Sequence, residues 1–425
     1  MYQSKQRIAK VSILLSLMTS SFLYATNGDN LIGVGTKSRG MGGAGIAVSH
    51  CAESTLQNPA LITCTKGTSI SLGGILFQPD ISAKMGMAAE HDSDIGASFI
   101  PGIAISHKLN NNWYLGIGAW GTAGMGTDYS HITQIPNRDS GNMHMKTSLQ
   151  LMQFATSLAY RENNFGLAVT FIEQYGKLEI NYQSFDGNMV GDDSSPYLAF
   201  GLNLGTYYDF KNGFTLGGVY KSKIDMNYGN QLSTATQPFV NFGIFPQAMQ
   251  EHLEQPSEFG IGVGYKFGYH TLALDYKKVQ WSDAKGYKEF NWDDQDVYAI
   301  GYQLKGKQWR FRLGYNHATN PIKEAQSGPA VIAPGNYAQA GGNALNLFNL
   351  LGFPATAEDH YAIGAGYEFT DHFYVDLSYV YAPKTSTKMR TITGLNPQTG
   401  DLYTGESTVN HTESSLSFQL SYRFF

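Results

Sequence analysis

The chain has 425 residues, a formal net charge of −5 and 15% charged residues, whereas soluble globular domains have about 25%. A nucleic-acid-binding protein needs a basic stripe to contact phosphates, and this slightly acidic sequence has none. Its 48 glycines, 27 tyrosines and 24 phenylalanines favour strands whose aromatic rings lie at an apolar boundary.

Residues 1–25 have the pattern of a secretory signal peptide. Lys5, Arg7 and Lys10 form a positive region, a mostly apolar stretch follows, and Ala25 is a plausible cleavage site. A membrane anchor is the alternative, but the apolar stretch is short and interrupted by serines. No later stretch has the roughly 18 consecutive apolar residues that a spanning helix needs. We therefore predict an exported mature chain.

Residues 26–68 are rich in glycine and alanine and show little alternation of apolar and polar residues. They include Cys51 and Cys64, the two cysteines of the chain. Because an exported protein meets an oxidising compartment and this spacing does not match a zinc site, we predict a disulfide between them. Two buried free thiols are the alternative. On the chain-entropy model the bond would stabilise this segment by about 3 kcal/mol.

From residue 69 onward, apolar and polar residues alternate in segments close to the ~9–11 residues of a tilted membrane-spanning strand. In the last segment Leu416, Phe418 and Leu420 share one face, while Ser417 and Gln419 share the other. A soluble sandwich also alternates. However, the apolar faces end repeatedly in Tyr, Trp or Phe, as the aromatic girdles of membrane barrels do. Strands are predicted at residues 69–78, 98–107, 113–122, 147–161, 164–176, 197–210, 213–224, 257–267, 270–280, 296–304, 308–317, 359–369, 373–382 and 415–425.

The even number of strands and their connections predict an all-β fold, a 14-stranded antiparallel transmembrane β-barrel. Short turns alternate with long connections, and the long ones lie near residues 128–146, 223–256, 320–358 and 383–413. A barrel of this size is too wide for its own side chains to fill. Residues 26–68 are therefore predicted to plug it from within, and residues 69–425 to form the barrel.

Two loop segments, residues 239–253 and 344–353, are apolar where loops are normally polar. Such surface usually marks a ligand groove or an interface. The alternative is that the two segments pack on each other as a lid. The predicted groove residues are Phe239, Phe242, Ile244, Phe245, Met249, Leu253, Leu345, Leu347, Phe348, Leu350, Leu351 and Phe353.

The order of the motifs resembles the FadL/TodX family of outer-membrane transporters of long-chain fatty acids and aromatic hydrocarbons. The resemblance covers nearly the whole mature chain, and it implies a 14-stranded barrel, a hatch that blocks it, and a monomer. No cofactor is predicted. The matching motifs are Gly40-Met-Gly-Gly-Ala-Gly45, Asn58-Pro59-Ala60, Phe99-Ile-Pro101, Leu115-Gly-Ile-Gly118, Gly124-Met-Gly-Thr-Asp-Tyr129, Ala273-Leu-Asp275 with Trp281-Ser282, Arg312-Leu-Gly-Tyr315 and the final strand.

The resemblance also implies roles for particular residues. It makes Asn58-Pro59-Ala60 part of the hatch, and the two apolar loop segments a capture groove. In the family a kink in the third strand opens a hole in the wall, and Gly121, Gly124 and Gly126 lie at the corresponding place. Glycine suits such breaks. A simple end of the strand is the alternative.

Three basic residues, Lys277, Arg310 and Arg312, face the lumen by alternation. One of them could pair with the carboxylate of a fatty acid. The alternative is that lumen charges satisfy one another or the plug.

No enzyme signature such as G-x-S-x-G or H-E-x-x-H is present. The sequence predicts passive uptake of hydrophobic small molecules, either fatty acids or hydrocarbons, across the outer membrane of a Gram-negative bacterium. Capture by the loops would be followed by a hatch rearrangement and exit through the wall. Outer-membrane lipid and lipopolysaccharide are the predicted surroundings. A porin-like channel for polar solutes and a surface adhesin or structural barrel are the alternatives.

Overall fold

The computed structural model describes residues 26–132, 144–184, 187–191 and 193–425. The predicted signal peptide, residues 1–25, lies outside the described residues. Within these ranges, fourteen strands of at least eight residues form one sheet. They are β1 (Thr68–Met85), β2 (Ser98–Lys108), β3 (Trp113–Asp128), β4 (Met145–Glu162), β5 (Phe165–Gln183), β6 (Ser195–Asp209), β7 (Phe214–Lys221), β8 (Glu258–Phe267), β9 (His270–Val279), β10 (Gln295–Lys305), β11 (Trp309–Ala318), β12 (Asp359–Glu368), β13 (Phe373–Leu395) and β14 (Leu402–Phe424).

The sheet closes on itself. Each strand pairs antiparallel with the next along the chain, and β14 pairs with β1 from Phe424–Thr68 to Ser407–Met85. The predicted fold, a 14-stranded antiparallel barrel, is confirmed, and every predicted strand overlaps one of the observed strands.

The prediction of a long connection at residues 383–413 is wrong. The strands β13 and β14 continue through most of it, and only residues 396–401 join them. The exposed positions of these extensions are polar or charged, for example Lys384, Lys388 and Arg390, so the extensions lack the outward apolar face by which the sequence marks a strand in lipid.

The wall is apolar outside and polar inside. On β14, Leu416, Phe418 and Leu420 are 42–49% exposed, whereas Ser417 and Gln419 on the opposite face are buried. The other strands repeat this alternation. Burying apolar surface is worth about 25 cal/mol per Å², so a continuous outer band of such side chains favours a membrane environment.

The connections differ in length at the two ends of the barrel. One end has the short turns, for example residues 163–164 and 268–269, and the other has long loops such as 222–257 and 319–358. None of the helices in the described residues is long and apolar enough to cross a bilayer. The helices are α1 (Thr36–Arg39), α2 (Ser54–Gln57), α3 (Leu232–Asn241) and α4 (Gly341–Leu347), with 3₁₀ turns at Cys51–Glu53, Pro59–Cys64, Trp281–Asp283 and Tyr337–Ala340 and a π-helical turn at Phe348–Gly352.

The plug, residues 26–67, lies against the inner face of the wall, and its backbone touches the wall where the wall has glycine. A Cβ atom added at Gly314 would stand 2.0 Å from the amide nitrogen of Gly42. One added at Gly217 would stand 2.1 Å from the carbonyl oxygen of Ile46. A larger residue at either position would displace the plug, so the close approach requires glycine.

Polar contacts fix the plug to the strands β9–β14, which we call the anchored side. Asp275 Oδ2 accepts hydrogen bonds from the N–H groups of Gly45 and Ile46 at 2.7 and 2.9 Å. The Nζ of Lys37 lies 3.7 Å from Asp376 Oδ2. Further contacts are Arg39 Nη2 to Ser415 Oγ at 2.5 Å, Arg39 Nε to Ser417 Oγ at 3.1 Å, and Asn316 Nδ2 to the oxygen of Gly42 at 3.1 Å.

Candidate functional site

The first apolar loop segment, residues 239–253, begins within α3 and turns back over the barrel. No side chain caps α3 at its N-cap position. Instead Glu251 Oε2 accepts the backbone N–H groups of Gln231 and Leu232, both at 3.0 Å. An anion is favourable at a helix N-terminus, so this contact holds the end of the loop segment against the start of α3. Phe239, within α3, is buried.

The second apolar loop segment, residues 344–353, is fixed by a row of buried asparagines. Asn343 and Asn346 donate through Nδ2 to the carbonyl oxygen of Arg390, both at 3.0 Å. Asn349 donates to the oxygen of Phe290 at 2.6 Å. A buried amide without a partner costs about 1–3 kcal/mol. These bonds therefore keep the asparagine side of the segment facing Arg390 and Phe290.

The two apolar loop segments pack against each other. The ring centroids of Phe239 and Phe348 are 5.4 Å apart, and Phe348 meets Tyr182 of β5 edge-on at 5.9 Å. Every predicted groove residue belongs to this cluster or packs on it, so the segments form a closed lid in this conformation. Phe239, Ile244, Leu253, Leu347, Phe348, Leu350, Leu351 and Phe353 are buried, and Phe242, Phe245, Met249 and Leu345 are partly buried.

The hatch motif, Asn58-Pro59-Ala60, joins two parts of the plug to the wall. Asn58 Nδ2 donates to the carbonyl oxygens of Ile46 and Thr206 at 2.6 and 3.0 Å, and its Oδ1 accepts the N–H of Ala60. Pro59 opens the following 3₁₀ turn, where its missing N–H is not needed. A Cβ atom at Gly205 of β6 would stand 2.7 Å from Pro59 Cδ. The motif is thus seated on β6.

Cys51 and Cys64 are joined by a disulfide, with their Cα atoms 5.8 Å apart. The bond closes a loop around the hatch motif. It lies at the end of the barrel where β1 begins and β14 ends, next to Thr68 and Phe424. Cys64 is exposed and Cys51 is partly exposed.

A cavity of about 60 Å³ lies between the plug and the wall, and Ile224 and Gln255 of the loop that contains the first apolar segment border it. Two lysines share one carboxylate on its border. The Nζ of Lys221 lies 3.3 Å from Glu258 Oε1, and the Nζ of Lys277 lies 3.6 Å from Glu258 Oε2. The group thus contains two ammonium groups and one carboxylate that both contact. The apolar lining consists of Leu31, Val34, Leu56, Ile172, Ile224 and Val279.

The structure separates the three basic residues that the sequence predicts as ligand contacts. Lys277 borders the cavity, but Arg312 is buried against Asp376 at 2.8 Å, and Arg310 pairs with Glu368 at 2.8 Å. Sequence reasoning missed Lys221, although its position on the inward face of β7 follows from the same alternation.

The wall is irregular between β2 and β3. Their ladder runs from Lys108–Tyr114 to Gly102–Trp120, although β3 continues to Asp128 and pairs with β4 throughout. A register shift occurs between Gly121 and Ala123, beyond the end of the β2–β3 ladder. We call the stretch between residues 98–101 of β2 and residues 121–127 of β3 the window.

The three glycines predicted to form a kink all border the window. Their strand partners on β4 are Met152, Gln150 and Ser148, which face outward. Because paired residues face the same side of a sheet, the three glycines also face outward, and the outer face of β3 has no side chains at these positions. The N–H of Gly124 donates to the carbonyl oxygen of Asp29 in the plug at 2.8 Å. Gly126 has φ +157°.

A hairpin at the start of the plug, residues 26–31, covers the window from inside. Asn30 pairs with Ala123 of β3. Leu31 packs in a buried cluster with Ile75, Phe77 and Ile100, which belong to β1 and β2. Plug residues thus take the place of β2 beside β3.

Comparison with known proteins identifies the class. The family model described as "Outer membrane protein transport protein (OMPP1/FadL/TodX)" matches residues 25–333. Outer membrane protein P1 of Haemophilus influenzae is 24% identical in an alignment of 435 positions that covers 86% of this chain and 89% of that protein. The long-chain fatty acid transport protein of Shigella flexneri is 24% identical in an alignment of 345 positions that covers 72% of this chain and 71% of that protein.

Solved structures share the fold. A FadL homologue of Pseudomonas aeruginosa superposes with a TM-score of 0.68 at 15% identity and covers 94% of this chain and 100% of that one. The toluene transporter TodX of Pseudomonas putida gives 0.67 at 16% identity, with 93% and 99% covered. The chain is an outer-membrane transport barrel. It belongs to the OMPP1/FadL/TodX family, as the resemblance of its motifs predicts.

Proposed function

We propose that the chain admits hydrophobic small molecules passively across the outer membrane, and that long-chain fatty acids or aromatic and aliphatic hydrocarbons are its ligands. The observation that supports this proposal is the continuity of the apolar lid with the cavity. Leu56, Ile224 and Val279 line the cavity and belong to the same buried cluster as Phe239 and Phe348. A ligand that enters between the loop segments would therefore follow contiguous apolar side chains to the cavity, where it would meet both apolar and polar groups.

The charges beside the cavity favour ligands with a carboxylate. Lys221 and Lys277 have one shared anionic partner, Glu258. A ligand carboxylate next to them would be held by charge-assisted hydrogen bonds while its chain lies on the apolar lining. A hydrocarbon would use the apolar lining alone.

The described conformation is closed, because a cavity of about 60 Å³ is far below the roughly 300 Å³ of the smallest typical ligand pockets. Binding therefore requires the lid and the plug to move, and the ligand shifts the equilibrium toward an open state. We place this movement at Asn58-Pro59-Ala60 and at the hairpin 26–31. The ligand then leaves through the window. The cycle needs no catalytic step and no second subunit.

The first test concerns capture. Phe242→Ser and Phe245→Ser change partly buried lid residues, so the barrel should fold, and we expect weaker binding and slower uptake of a radiolabelled long-chain fatty acid. Val331→Ser, at a 53% exposed position in the loop that contains the second segment, is the matched control. Unchanged binding and uptake in the double lid variant would refute the proposed capture site.

The second test separates ligand classes. The variant Lys221→Met with Lys277→Met and Glu258→Gln removes the charges without leaving a buried carboxylate unpaired. It should weaken binding of a fatty acid while leaving binding of an alkane of equal length within about twofold, because only the acid uses a charge-assisted bond. Equal losses for both ligands would contradict the assignment of the lysines. A large steady conductance of the wild-type protein in planar bilayers would instead favour the porin-like channel.

A further inference from the structure

Trp120 lies at the position where pairing between β2 and β3 ends. Its side chain is 2% exposed and faces the bore, on the same face as its register partner Gly102. A Cβ atom at Gly102 would stand 3.0 Å from Trp120 Cδ1, and one at Gly118 would stand 2.0 Å from Cη2. The indole therefore lies against the wall backbone, and glycine at both positions makes room for it.

Between this ring and the plug there is a cavity of only about 20 Å³. It is bordered by Val34 of the plug, by Pro101 and Gly102 of β2, and by Trp120 and Gly121 of β3. Such a space holds no more than one water molecule. The inner approach to the window is thus closed by two kinds of group, a movable plug and a side chain that belongs to the wall.

We propose that Trp120 sets the largest cross-section of ligand that leaves through the window. The inference rests on the proposed lateral exit. When the hairpin 26–31 withdraws, Asn30 and Leu31 leave with it, whereas Trp120 remains on β3. The neighbouring Gly121 has no side chain, so the indole is the bulkiest group left at that border. A linear chain passes beside it, and a fused-ring system does not.

The test compares two probes with the same carboxylate and a similar number of carbons, one a linear fatty acid and the other containing a pyrene ring. Their uptake is measured in cells that produce wild type, Trp120→Ala, Trp120→Phe or Trp113→Ala. Trp113 is the control because it lies on the same strand but is 40% exposed on the outer face. Binding of both probes to the detergent-extracted proteins is measured as well.

We expect Trp120→Ala to raise the ratio of pyrene-probe to linear-probe uptake roughly tenfold, the lower end of what steric discrimination gives, with binding unchanged. Trp120→Phe should give an intermediate ratio and Trp113→Ala the wild-type ratio. A purely structural role would lower both uptake rates together. An unchanged ratio in correctly folded Trp120→Ala and Trp120→Phe overturns the inference. If the wild type admitted neither probe, the proposed function would be refuted instead.

Discussion

The plug meets the two sides of the wall in different ways. On the anchored side it is fixed by close glycine contacts and by bonds to charged groups such as Asp275 and Asp376. On the window side, a hairpin of six residues is joined to β3 through Asn30 and through the carbonyl oxygen of Asp29, and it packs by Leu31. The side chain of Asp29 adds hydrogen bonds from Tyr287 and Gln255 of the long loops. The difference supports the proposal that the window opens while most of the plug stays in place.

The largest effect is expected from Arg312→Met on the anchored side. Among the described residues, this change leaves Lys37, whose Nζ is 3.7 Å away, as the ion-pair partner of the buried Asp376. Removing one partner of a buried ion pair costs about 3–5 kcal/mol. We expect hydrogen exchange, followed by mass spectrometry, to accelerate more than about a hundredfold in residues 36–47.

Arg310→Met is the matched control for that variant. Arg310 also pairs with a carboxylate at 2.8 Å, but it and Glu368 are less buried, and the pair makes no contact with the plug among the described residues. Exchange in residues 36–47 should stay close to the wild-type rate. If Arg312→Met accelerated exchange only in the hairpin 26–31, the distinction between the two sides would be wrong.

A smaller effect is expected from breaking the disulfide. Cys51→Ser combined with Cys64→Ser should destabilise the loop around the hatch motif by about 3 kcal/mol on the chain-entropy model. Limited proteolysis should then cleave residues 52–63 faster, while exchange in the hairpin 26–31 stays unchanged. Serine is close to cysteine in size, so a loss of packing would not explain the result. Equal protection of residues 52–63 with and without the bond would contradict this prediction.

The smallest effect concerns pH and the window side. Burial raises the pKa of Asp29 to about 6, and its Oδ2 accepts hydrogen bonds from Tyr287 Oη at 2.5 Å and Gln255 Nε2 at 2.6 Å. A raised carboxyl pKa means that the folded hairpin prefers the protonated form of Asp29. Protonated Asp29 therefore stabilises the hairpin fully below about pH 4, and this stabilisation is lost as the pH rises through about 6.

Exchange in residues 26–31, corrected for its intrinsic pH dependence, should accordingly be about tenfold slower at pH 5 than at pH 7. Asp29→Asn should abolish the difference. Asp94→Asn, at a side chain that is 64% exposed, should retain it. A pH dependence that survives Asp29→Asn would assign the effect to another group.

The sequence predicts the barrel well because alternation of apolar and polar residues with aromatic ends is a local signal. This signal locates all fourteen strands. The site depends on contacts that are distant in sequence. The pairing of Lys221 and Lys277 through Glu258 spans three strands, and alternation shows only which face each residue occupies. Likewise, the three glycines of β3 could be located, but not the plug hairpin that replaces β2 beside them.

The glycine contacts between plug and wall have a consequence for assembly. Gly42 lies backbone to backbone on Gly314, and Ile46 lies in the same way on Gly217, so there is no clearance through which the plug could slide into a finished cylinder. We therefore expect the N-terminal residues to be enclosed before β14 joins β1, so that the seam between the first and last strands closes around a plug that is already in place.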